Sequence, residues 1–376
     1  MADKQASSDD YSLGGTQAQP LVAAPELPYK PRDPVAYNPQ IGLIGCGGIS
    51  ESHLKAYSKA GYRVTALCDL ILERANKRQE QFYAQATTGT NYRELLERPE
   101  IEVVDIATHP ADRLPIIEDA IKAGKHVLSQ KPFVLDLQEG ERLVRLADEH
   151  GVKLAVNQNG RWAPHFSYIR HAIHVGLIGD LISVHQAVHW DHTWTIGTKF
   201  EEIRDLVLYD FAIHWFDFVN HLLGNRPWQK VMAVRTRSLG QNAKPALLAQ
   251  AIIQFEGGQA SLVFDASLKF DSRDTTYIGG SIGSIRSEGS NLGEQLVTIT
   301  TEAGASSPVL EGSWFPDGFH GTMGELLCAI EENREPLNSA RENLRGLGLC
   351  FAAIASADSG EAVAPGQVMR LQDGKA

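Results

Sequence analysis

Three polar side chains lie in sequence surroundings where they could move a proton or stabilise a charge. Asp210 and His214 are four residues apart in the almost entirely apolar run 206–218. At this spacing two side chains share one face of a helix, and Asp217 follows one turn further along. An imidazole beside a carboxylate is a competent proton acceptor near neutral pH. The structural alternative is a His–Asp pair that only satisfies its own hydrogen bonds inside the core.

Lys131 is the third of these side chains. It comes directly after the apolar segment 125–130 and before Pro132, which predicts a rigid loop at the end of a strand. An ammonium group in such a place can donate a proton or stabilise an alkoxide. Taken alone, a lysine is more often a solvated surface residue, so the prediction depends on Asp210 and His214.

A glycine-rich segment follows the first apolar run and predicts a cradle for a dinucleotide. Residues 41–44 suit a buried strand, Gly45 a tight turn, and Gly47 a close approach of the backbone to a pyrophosphate. The helix that follows would direct its free N–H groups at that phosphate. Ser50 takes the place of the third glycine of the G-x-G-x-x-G pattern. An ordinary glycine-rich turn is the alternative.

Asp69 strengthens this interpretation. It ends the second predicted strand, residues 63–68, and lies 24 residues after Gly45. At this position a carboxylate binds the ribose diol of the dinucleotide. It would also repel a 2′-phosphate, so the sequence favours NAD over NADP. A carboxylate that only caps the next helix is the alternative.

The segments that must position these residues alternate between helical and strand patterns. Helices are predicted over 72–84, 113–123 and 135–150, and strands over 102–107, 125–128 and 152–156. This alternation is typical of a parallel sheet with crossover helices. Ligands of such sheets lie beyond the carboxyl ends of the strands, where Gly45, Asp69, Thr108 and Lys131 all fall.

The second half of the chain alternates with the period of a strand. Strands are predicted over 183–190, 230–237, 249–255 and 260–266. The glycine-rich residues 278–284 have no helix after them and predict a turn. Helical segments at 324–330 and 344–357 would pack the two halves together. The uncovered face of the sheet must be buried, which predicts a homo-oligomer.

Length and composition limit the class of protein. The 376 residues, 43% of them hydrophobic, suggest two domains with substantial cores. A net charge of −11 argues against nucleic acid or an anionic membrane as the main partner. No apolar run is long enough to span a membrane and the N-terminus lacks a signal pattern, so we expect a cytoplasmic protein. Four scattered cysteines without a C-x-x-C pair argue against disulfides and thiolate metal sites.

Residues 1–38 differ from the rest of the chain. Five prolines between positions 20 and 34 exclude a helix or a central strand. One interpretation is a disordered tail. The other is an extended arm whose apolar residues, Leu21 and Tyr29 among them, lie across a neighbouring subunit.

These segments together resemble the Gfo/Idh/MocA family of NAD(P)-dependent sugar and polyol oxidoreductases. The resemblance covers about residues 39–370 and is carried by 45–50, 104–108, 123–132 and 210–217. It implies an α/β fold with an N-terminal Rossmann doubly wound parallel sheet and a C-terminal α+β domain with a large open, mostly antiparallel sheet. The corresponding domains are a proline-rich arm (1–38), an NAD-binding domain (39–157) and a substrate-binding and oligomerisation domain (158–376). Dimers or tetramers through the C-terminal sheet are common in the family.

The resemblance also implies roles for individual residues. Lys131 matches the lysine of the family's Glu-Lys-Pro motif, and Asp210 and His214 match its catalytic Asp-x-x-x-His pair. The implied cofactor-binding residues are Gly45, Gly47, Gly48, Ile49, Asp69, Thr108, Gln130, Lys131, Arg161 and Trp162. The implied substrate-binding residues are Lys131, Arg161, His189, Asp210, His214 and Trp314.

Two departures from the family pattern stand close to the predicted site. Gln130 replaces the glutamate of the motif, which keeps a hydrogen-bonding side chain and removes a charge beside Lys131. Arg113 stands where many members carry a histidine, and His109-Pro110 replaces Pro-Asn.

Several histidines raise the question of a metal site. His165, His185, His189, Asp191 and His192 are ligand types, and His185 and His189 share one face of a strand, but no third ligand has a suitable spacing. We predict no metal. His189, Trp190 and His192, with the loop that contains Trp314 and His320, are instead candidates to line a pocket for a ring with hydroxyl groups.

The sequence therefore predicts an NAD-dependent hydride transfer at a secondary hydroxyl or ketone of a sugar, glycoside or cyclic polyol. His214 would take the hydroxyl proton, oriented by Asp210 and assisted by Lys131. One alternative is glycoside cleavage through a transient oxidation with no net redox change. The other is a non-catalytic NAD-binding regulator, which the joint presence of Lys131, Asp210 and His214 disfavours.

Overall fold

The computed structural model describes residues 19–371. Their first half forms a six-stranded parallel sheet in the order β3-β2-β1-β4-β5-β6. The strands are β1 (Gln40–Ile44), β2 (Arg63–Cys68), β3 (Thr87–Gly89), β4 (Ile101–Ile106), β5 (His126–Gln130) and β6 (Leu154–Asn157). The helices are α1 (Ser50–Ala60), α2 (Leu72–Phe82), α3 (Tyr92–Leu96), α4 (Pro110–Lys122) and α5 (Leu137–Glu149). The strand order reverses direction between β1 and β4, which opens a ligand crevice at their carboxyl ends.

The second half forms an eight-stranded sheet in the order β14-β13-β12-β11-β7-β10-β9-β8. Its strands are β7 (Leu181–His189), β8 (Trp228–Thr236), β9 (Leu248–Phe255), β10 (Gly258–Asp265), β11 (Arg273–Gly280), β12 (Gly283–Asn291), β13 (Glu294–Thr301) and β14 (Gly304–Ser306). The parallel pair is β10 with β7, and the other pairs are antiparallel. The predicted fold class is confirmed. Of the predicted turn at 278–284, only residues 281–282 connect strands, while residues 278–280 belong to β11 and residues 283–284 to β12.

One face of the second sheet is covered by helices and the other is open. In β7 the buried residues Val184, Gln186 and Val188 point to the covered face. The alternate residues His185 and His189 point to the open face and are partly exposed. The helices that contact its strands are α6 (Pro164–His174), α7 (Ile213–Leu223) and α9 (Ala340–Ser359). Helix α8 (Trp314–Glu331) packs against α1, β6 and the turn 159–162. No helix within residues 19–371 is long and apolar enough to cross a membrane.

Helices α8 and α9 return to the first sheet, which agrees with the prediction that the last helices pack the two halves together. Phe319, Met323 and Leu326 of α8 are fully buried in a core cluster with Ile41 and Leu43 of β1. Helix α9 contacts α5 and β6 of the first half and β8 of the second. The two sheets are therefore held at a fixed distance by shared helices.

The described part of the N-terminal arm packs against its own chain. Leu21 forms an isolated parallel bridge with Ala305 of β14. The carboxylate of Glu331 in α8 accepts hydrogen bonds from the backbone N–H groups of residues 35–37, at 2.6–2.8 Å. Residues 19–38 thus connect the start of β1 with the edge of the second sheet, while residues 1–18 of the predicted tail or arm lie outside the described residues.

The single helix predicted around Asp210 is divided in two. A π-helical turn covers Val207–Phe211, and α7 begins only at Ile213. Within the turn the Ala212 N–H donates to the carbonyl of Val207, five residues before it. The Asp210 carbonyl accepts the Lys131 ammonium at 2.7 Å. Because this carbonyl binds a side chain from the first half, the chain departs from regular α-helix at this point.

A buried ion pair holds the start of the second half to α7. The guanidinium of Arg161, in the 3₁₀ turn Asn159–Trp162, donates to both carboxylate oxygens of Asp217 at 2.6 and 2.7 Å, and it also donates to the carbonyl of Leu337. Both side chains are almost fully buried. Removal of one partner would leave the other charge buried without compensation.

We therefore expect Asp217→Asn to lower the free energy of unfolding by about 3–5 kcal/mol, because the buried guanidinium loses its counter-charge. Denaturant unfolding followed by tryptophan fluorescence measures this. Asp148→Asn is the matched control, since it weakens the exposed pair with Arg341 and should change the free energy of unfolding little. Equal midpoints for the two variants would contradict the importance of the buried pair.

Candidate active site

The glycine-rich segment forms an open cradle at the carboxyl end of β1. Gly45 has φ of +97°, and a Cβ there would lie 2.8 Å from the backbone carbon of Ala107, so this position requires glycine. A Cβ on Gly47 or Gly48 would meet no atom within 4 Å. Their Cα atoms therefore face open space, which fits the approach of a dinucleotide phosphate to the backbone.

Ser50 and Arg78 fix the cradle from below. The Ser50 hydroxyl donates to the Gly47 carbonyl at 2.6 Å. Arg78 of α2, which is buried, donates to the same carbonyl and to the Ser50 hydroxyl, at 3.2 Å each, and pairs with Glu51 at 2.7 Å. The serine in place of the third glycine thus has a hydrogen-bonding role. Sequence reasoning missed Arg78, since nothing in its local pattern distinguishes it from other lysines and arginines of α2.

Asp69 connects the cradle with the end of β2. One carboxylate oxygen accepts the N–H of Cys46 at 2.8 Å, and the other accepts the N–H of Ile71 at 2.9 Å. A carboxylate has about four acceptor positions, so both oxygens can still accept a ribose hydroxyl. The bond from Ile71 is local and agrees with the alternative that Asp69 only caps the next helix. The bond from Cys46 does not belong to such a cap, because it joins Asp69 to the glycine-rich segment.

A cleft of about 430 Å³ opens over the cradle. Its lining includes Arg74 and Lys77 from α2 and Lys199 from the loop after β7. None of these three cations forms an ion pair within residues 19–371, so their charges are available to an anion. Burial and the Lys199 ammonium lower the pKa of His109 at the cleft wall, which favours its neutral form. The residues present fit a dinucleotide with its pyrophosphate over the glycines.

The Lys131 ammonium is the point at which the two halves of the site meet. It donates to the Asp210 carbonyl at 2.7 Å and lies 3.3 Å from the Asp210 carboxylate. Both side chains are largely buried. An ammonium that is held by a carboxylate and a carbonyl keeps a fixed position.

Arg113 explains one of the two departures from the family pattern. Its buried guanidinium donates to the carbonyls of Gln130 and Pro132, on either side of Lys131, and to the carbonyl of Thr108 at the end of β4. Arg113 therefore binds residues 130–132, which we call the lysine loop, to the end of the neighbouring strand β4. Burial lowers the pKa of Arg113 to about 10, so the side chain is still charged at neutral pH.

His214 lies at the first turn of α7, beside Trp314. The two rings meet edge to face, with their centroids 5.2 Å apart. Nδ1 of His214 is buried without a hydrogen-bond partner and faces Gly160, where a Cβ would come within 3.4 Å of it. Burial and the Lys131 ammonium hold the pKa of His214 well below its usual value. The imidazole is therefore neutral at neutral pH and holds a proton less readily than a free imidazole does.

The partner of Asp210 differs from the one we expected. The spacing predicted that Asp210 orients His214, but in the structure the Asp210 carboxylate faces Lys131 and His214 Nδ1 has no acceptor. The π-helical turn that separates Asp210 from α7 accounts for the difference.

The structure places the remaining predicted residues in two groups. Trp314 is buried next to His214 and donates its Nε1–H to Asn159 at 2.6 Å. Trp162, the last residue of the turn 159–162, is buried against Arg170 and Gly321. Two others are directed elsewhere. Arg161 is fully engaged by Asp217, and His189 points to the open face of the second sheet, 2.8 Å from Asp265. These two side chains lie away from the space in front of His214.

Aromatic side chains from the loop after β7 and from α7 continue the surface around His214. Trp190 contacts His192 and Trp215, and His192 also contacts Phe211, with ring centroids 3.9–6.2 Å apart. Burial lowers the pKa of His192 to about 3, so its ring is neutral. The residues that suggested a metal site are dispersed: residues 19–371 contain no group of three histidine, cysteine, aspartate or glutamate side chains placed to hold a metal ion.

Comparisons with known proteins agree with this geometry. The Gfo/Idh/MocA model described as an oxidoreductase family with an NAD-binding Rossmann fold matches residues 40–158, and the Gfo/Idh/MocA C-terminal domain model matches residues 166–286. D-apiose dehydrogenase of Paraburkholderia graminis is 26% identical over 337 residues, which are 85% of this chain and 88% of that protein. Inositol 2-dehydrogenase of Rhizobium meliloti is 26% identical over 333 residues, which are 84% of this chain and 96% of that protein.

Solved structures share the fold. An oxidoreductase from Agrobacterium radiobacter, in complex with NAD⁺, L-tartaric acid and magnesium, has a TM-score of 0.78 and 20% identity over 87% of this chain and 98% of its own. The two matching family models, the doubly wound sheet and the glycine cradle lead to the same conclusion. The chain belongs to the Gfo/Idh/MocA oxidoreductase family, with an NAD-binding Rossmann domain at its N-terminal side.

Proposed function

We propose that the protein is an NAD-dependent dehydrogenase or reductase that acts on a secondary hydroxyl or ketone of a sugar, glycoside or cyclic polyol. The observation that carries the proposal is the meeting of a charged Lys131, its partner Asp210 and a neutral His214 beyond the carboxyl ends of the first sheet. The printed names of the relatives, a D-apiose dehydrogenase and an inositol 2-dehydrogenase, support this substrate class. Residues 39–157 would bind the cofactor and residues 158–376 the substrate.

The residues of this chain divide the chemistry. When bound, the nicotinamide supplies the hydride acceptor or donor. His214, which is neutral, accepts the proton of the substrate hydroxyl. The Lys131 ammonium, fixed by Asp210, stabilises the negative charge that develops on the substrate oxygen. Asp69 binds the ribose diol, and the cradle with Arg74, Lys77 and Lys199 binds the pyrophosphate. Trp190 and Phe211, which are partly exposed, would offer flat faces to a sugar ring.

We expect His214→Gln to lower kcat about 10²–10⁴-fold, because the variant lacks the proton acceptor. The dissociation constant for NAD should stay within about twofold, since His214 lies away from the cradle. Absorbance of reduced nicotinamide over a panel of pyranoses, glycosides and inositols gives kcat, and fluorescence titration gives the dissociation constant.

His150→Gln, at the exposed end of α5, is the matched control and should keep wild-type turnover. Full activity of His214→Gln would exclude His214 as the base. Glycoside cleavage without released NADH would replace a net dehydrogenase with the transient-oxidation alternative.

Asp69 should set the cofactor preference. In Asp69→Asn the charge that repels a 2′-phosphate is lost, so the ratio of the dissociation constants for NADP and NAD should fall about tenfold, equivalent to about 1.4 kcal/mol. The ratio is the informative quantity, because a distorted cradle alone would weaken both cofactors equally. An unchanged ratio would contradict the role of the charge.

We also propose that the open face of the second sheet binds a second copy of this chain. Met232, Val234, Ile252, Tyr277 and Leu296 are each 48–60% exposed on that face, and residues 19–371 leave them uncovered. Exposed apolar side chains on one sheet face, interspersed with polar ones such as Gln250 and Arg286, are typical of a protein interface.

Ile252→Lys should shift the sedimentation coefficient towards that of a monomer, since a buried ammonium at the centre of an apolar interface opposes association. Val35→Lys is the control, because Val35 is 97% exposed on the arm, away from the sheet. Analytical ultracentrifugation at several concentrations measures both. A monomeric wild type, or an Ile252→Lys variant that associates as the wild type does, would overturn the proposal.

A further inference from the structure

A fully buried polar cluster lies beneath the lysine loop. His53 of α1, Tyr57 one turn later and Asp105 of β4 have no exposed surface. His53 Nδ1 is 2.7 Å from one carboxylate oxygen of Asp105, and the Tyr57 hydroxyl donates to the same oxygen at 2.7 Å. Groups of this polarity are costly to bury without hydrogen bonds. Both bonds to Asp105 are made at the oxygen Oδ2, and its other oxygen, Oδ1, is buried without a hydrogen-bond partner.

The other side of His53 faces two side-chain amides. Nε2 lies 3.1 Å from the amide nitrogen of Gln130 and 3.1 Å from that of Asn157. The oxygens of both amides are occupied elsewhere: Gln130 Oε1 accepts the backbone N–H of Lys131 at 2.6 Å, and Asn157 Oδ1 accepts the Thr322 hydroxyl at 2.8 Å.

These contacts determine the state of the imidazole. Both amides turn their N–H groups towards Nε2, so Nε2 carries the lone pair. Nδ1 then carries the proton and donates it to Asp105. His53 is thus a neutral ring in a chain of hydrogen bonds that all run in one direction. The Lys131 N–H donates to Gln130, the Gln130 amide donates to His53 Nε2, and His53 Nδ1 donates to Asp105.

We propose that His53, Asp105 and Gln130 form a positioning unit for Lys131, in which Asp105 carries the negative charge that the family motif places at residue 130. The proposal rests on the proposed function, in which the Lys131 ammonium stabilises charge on the substrate oxygen. It accounts for the departure at Gln130, because a buried carboxylate at residue 105 requires an uncharged side chain at residue 130.

The coupling follows from the hydrogen-bond directions. A glutamate at 130 would direct a carboxylate at the lone pair of His53 Nε2. To avoid this repulsion the ring must take up a second proton, which places an imidazolium between two buried carboxylates. The net charge of the cluster is then unchanged, but three buried charges replace one, and each has a desolvation cost. The single substitution Gln130→Glu should therefore displace residue 130 and, with it, the Lys131 peptide.

The double substitution Asp105→Asn with Gln130→Glu removes this conflict. The imidazole can then accept a hydrogen bond from the new amide at Nδ1 and donate from Nε2 to the new carboxylate. The amide of Asn157 can rotate to present its oxygen, because the Thr322 hydroxyl also donates to the Phe319 carbonyl at 3.0 Å. The bonds of His53 to residues 105, 130 and 157 are then reversed in direction. The Tyr57 hydroxyl, which donates to the same Asp105 oxygen as His53, loses that acceptor and faces the N–H group of the new amide instead. The Lys131 N–H again has a fixed acceptor at residue 130.

The test compares Gln130→Glu, Asp105→Asn and the double variant with the wild type. We expect Gln130→Glu to lower kcat at least about tenfold, with the KM for substrate and the dissociation constant for NAD within about threefold, as displacement of one catalytic group requires. The melting temperature should fall as well. The double variant should regain both kcat and melting temperature, and this rescue distinguishes positioning from simple damage.

Gln138→Glu, on the exposed face of α5, is the matched control for the added charge and should behave as the wild type. The proposal is overturned if Gln130→Glu keeps wild-type kcat, or if the double variant is no better than Gln130→Glu.

A second measurement does not require turnover. The ¹⁵N chemical shifts of the His53 ring, in protein labelled at histidine, report which nitrogen carries a proton. We expect Nδ1–H in the wild type and Nε2–H in the double variant. An Nε2–H or doubly protonated ring in the wild type would overturn the proposal, even if Gln130→Glu does not fold.

The two measurements also separate this inference from the proposed function. In one outcome the wild type shows the expected ring shifts, and the double variant the expected recovery of the melting temperature, while no substrate tested gives hydride transfer. This outcome would refute the proposed function and leave the hydrogen-bonded unit in place.

Discussion

The contact between the Lys131 ammonium and Asp210 is the interaction on which the site depends. Lys131 follows the last strand but one of the first sheet, and Asp210 lies in the π-helical turn that precedes α7 of the second half. A charge at this junction holds its place only if the peptide on each side is fixed. The glycine cradle, the shared helices α8 and α9 and the buried polar groups around the lysine loop all serve that requirement.

Three buried arrangements fix the two sides. Arg113 binds the carbonyls on either side of Lys131, and the His53 cluster binds its N–H through Gln130. Arg161 with Asp217 secures α7, which carries His214 at its first turn. Each arrangement has a desolvation cost that a hydrophobic core would not have. Two of them lie around Lys131 and the third secures the helix that carries His214, so all three fix the geometry of the site.

Features with short-range causes were predictable from the sequence. The cradle depends on glycines within a few residues of one another, and Asp69 ends the strand beside it, so both could be located by pattern. The predicted strands and helices of the first sheet are all present, with ends within three residues of those expected. The strands of the second sheet were harder to predict from the sequence. Strand β12, for example, is rich in glycine and serine and has few apolar residues to mark its buried face.

Features with long-range causes were not predictable. His53 contacts residues 77 and 104 positions away in the sequence, and Arg161 contacts a carboxylate 56 positions away. Nothing beside His53 or Arg113 in the chain reports these partners. The prediction of one regular helix around Asp210 was wrong for the same reason. The interaction that alters the helix geometry comes from Lys131, 79 residues earlier.

The exchange of partner at Asp210 changes the electrostatics of the site. If Asp210 faced His214, its negative charge would raise the basicity of the imidazole and would leave Lys131 without a counter-charge. In the structure the carboxylate neutralises part of the lysine charge, while the remaining field of the ammonium, together with burial, keeps His214 neutral. In the proposed reaction the same ammonium would disfavour a proton on His214 and favour negative charge on the substrate oxygen. It would therefore oppose protonation of the acceptor while it stabilises the oxygen that loses the proton.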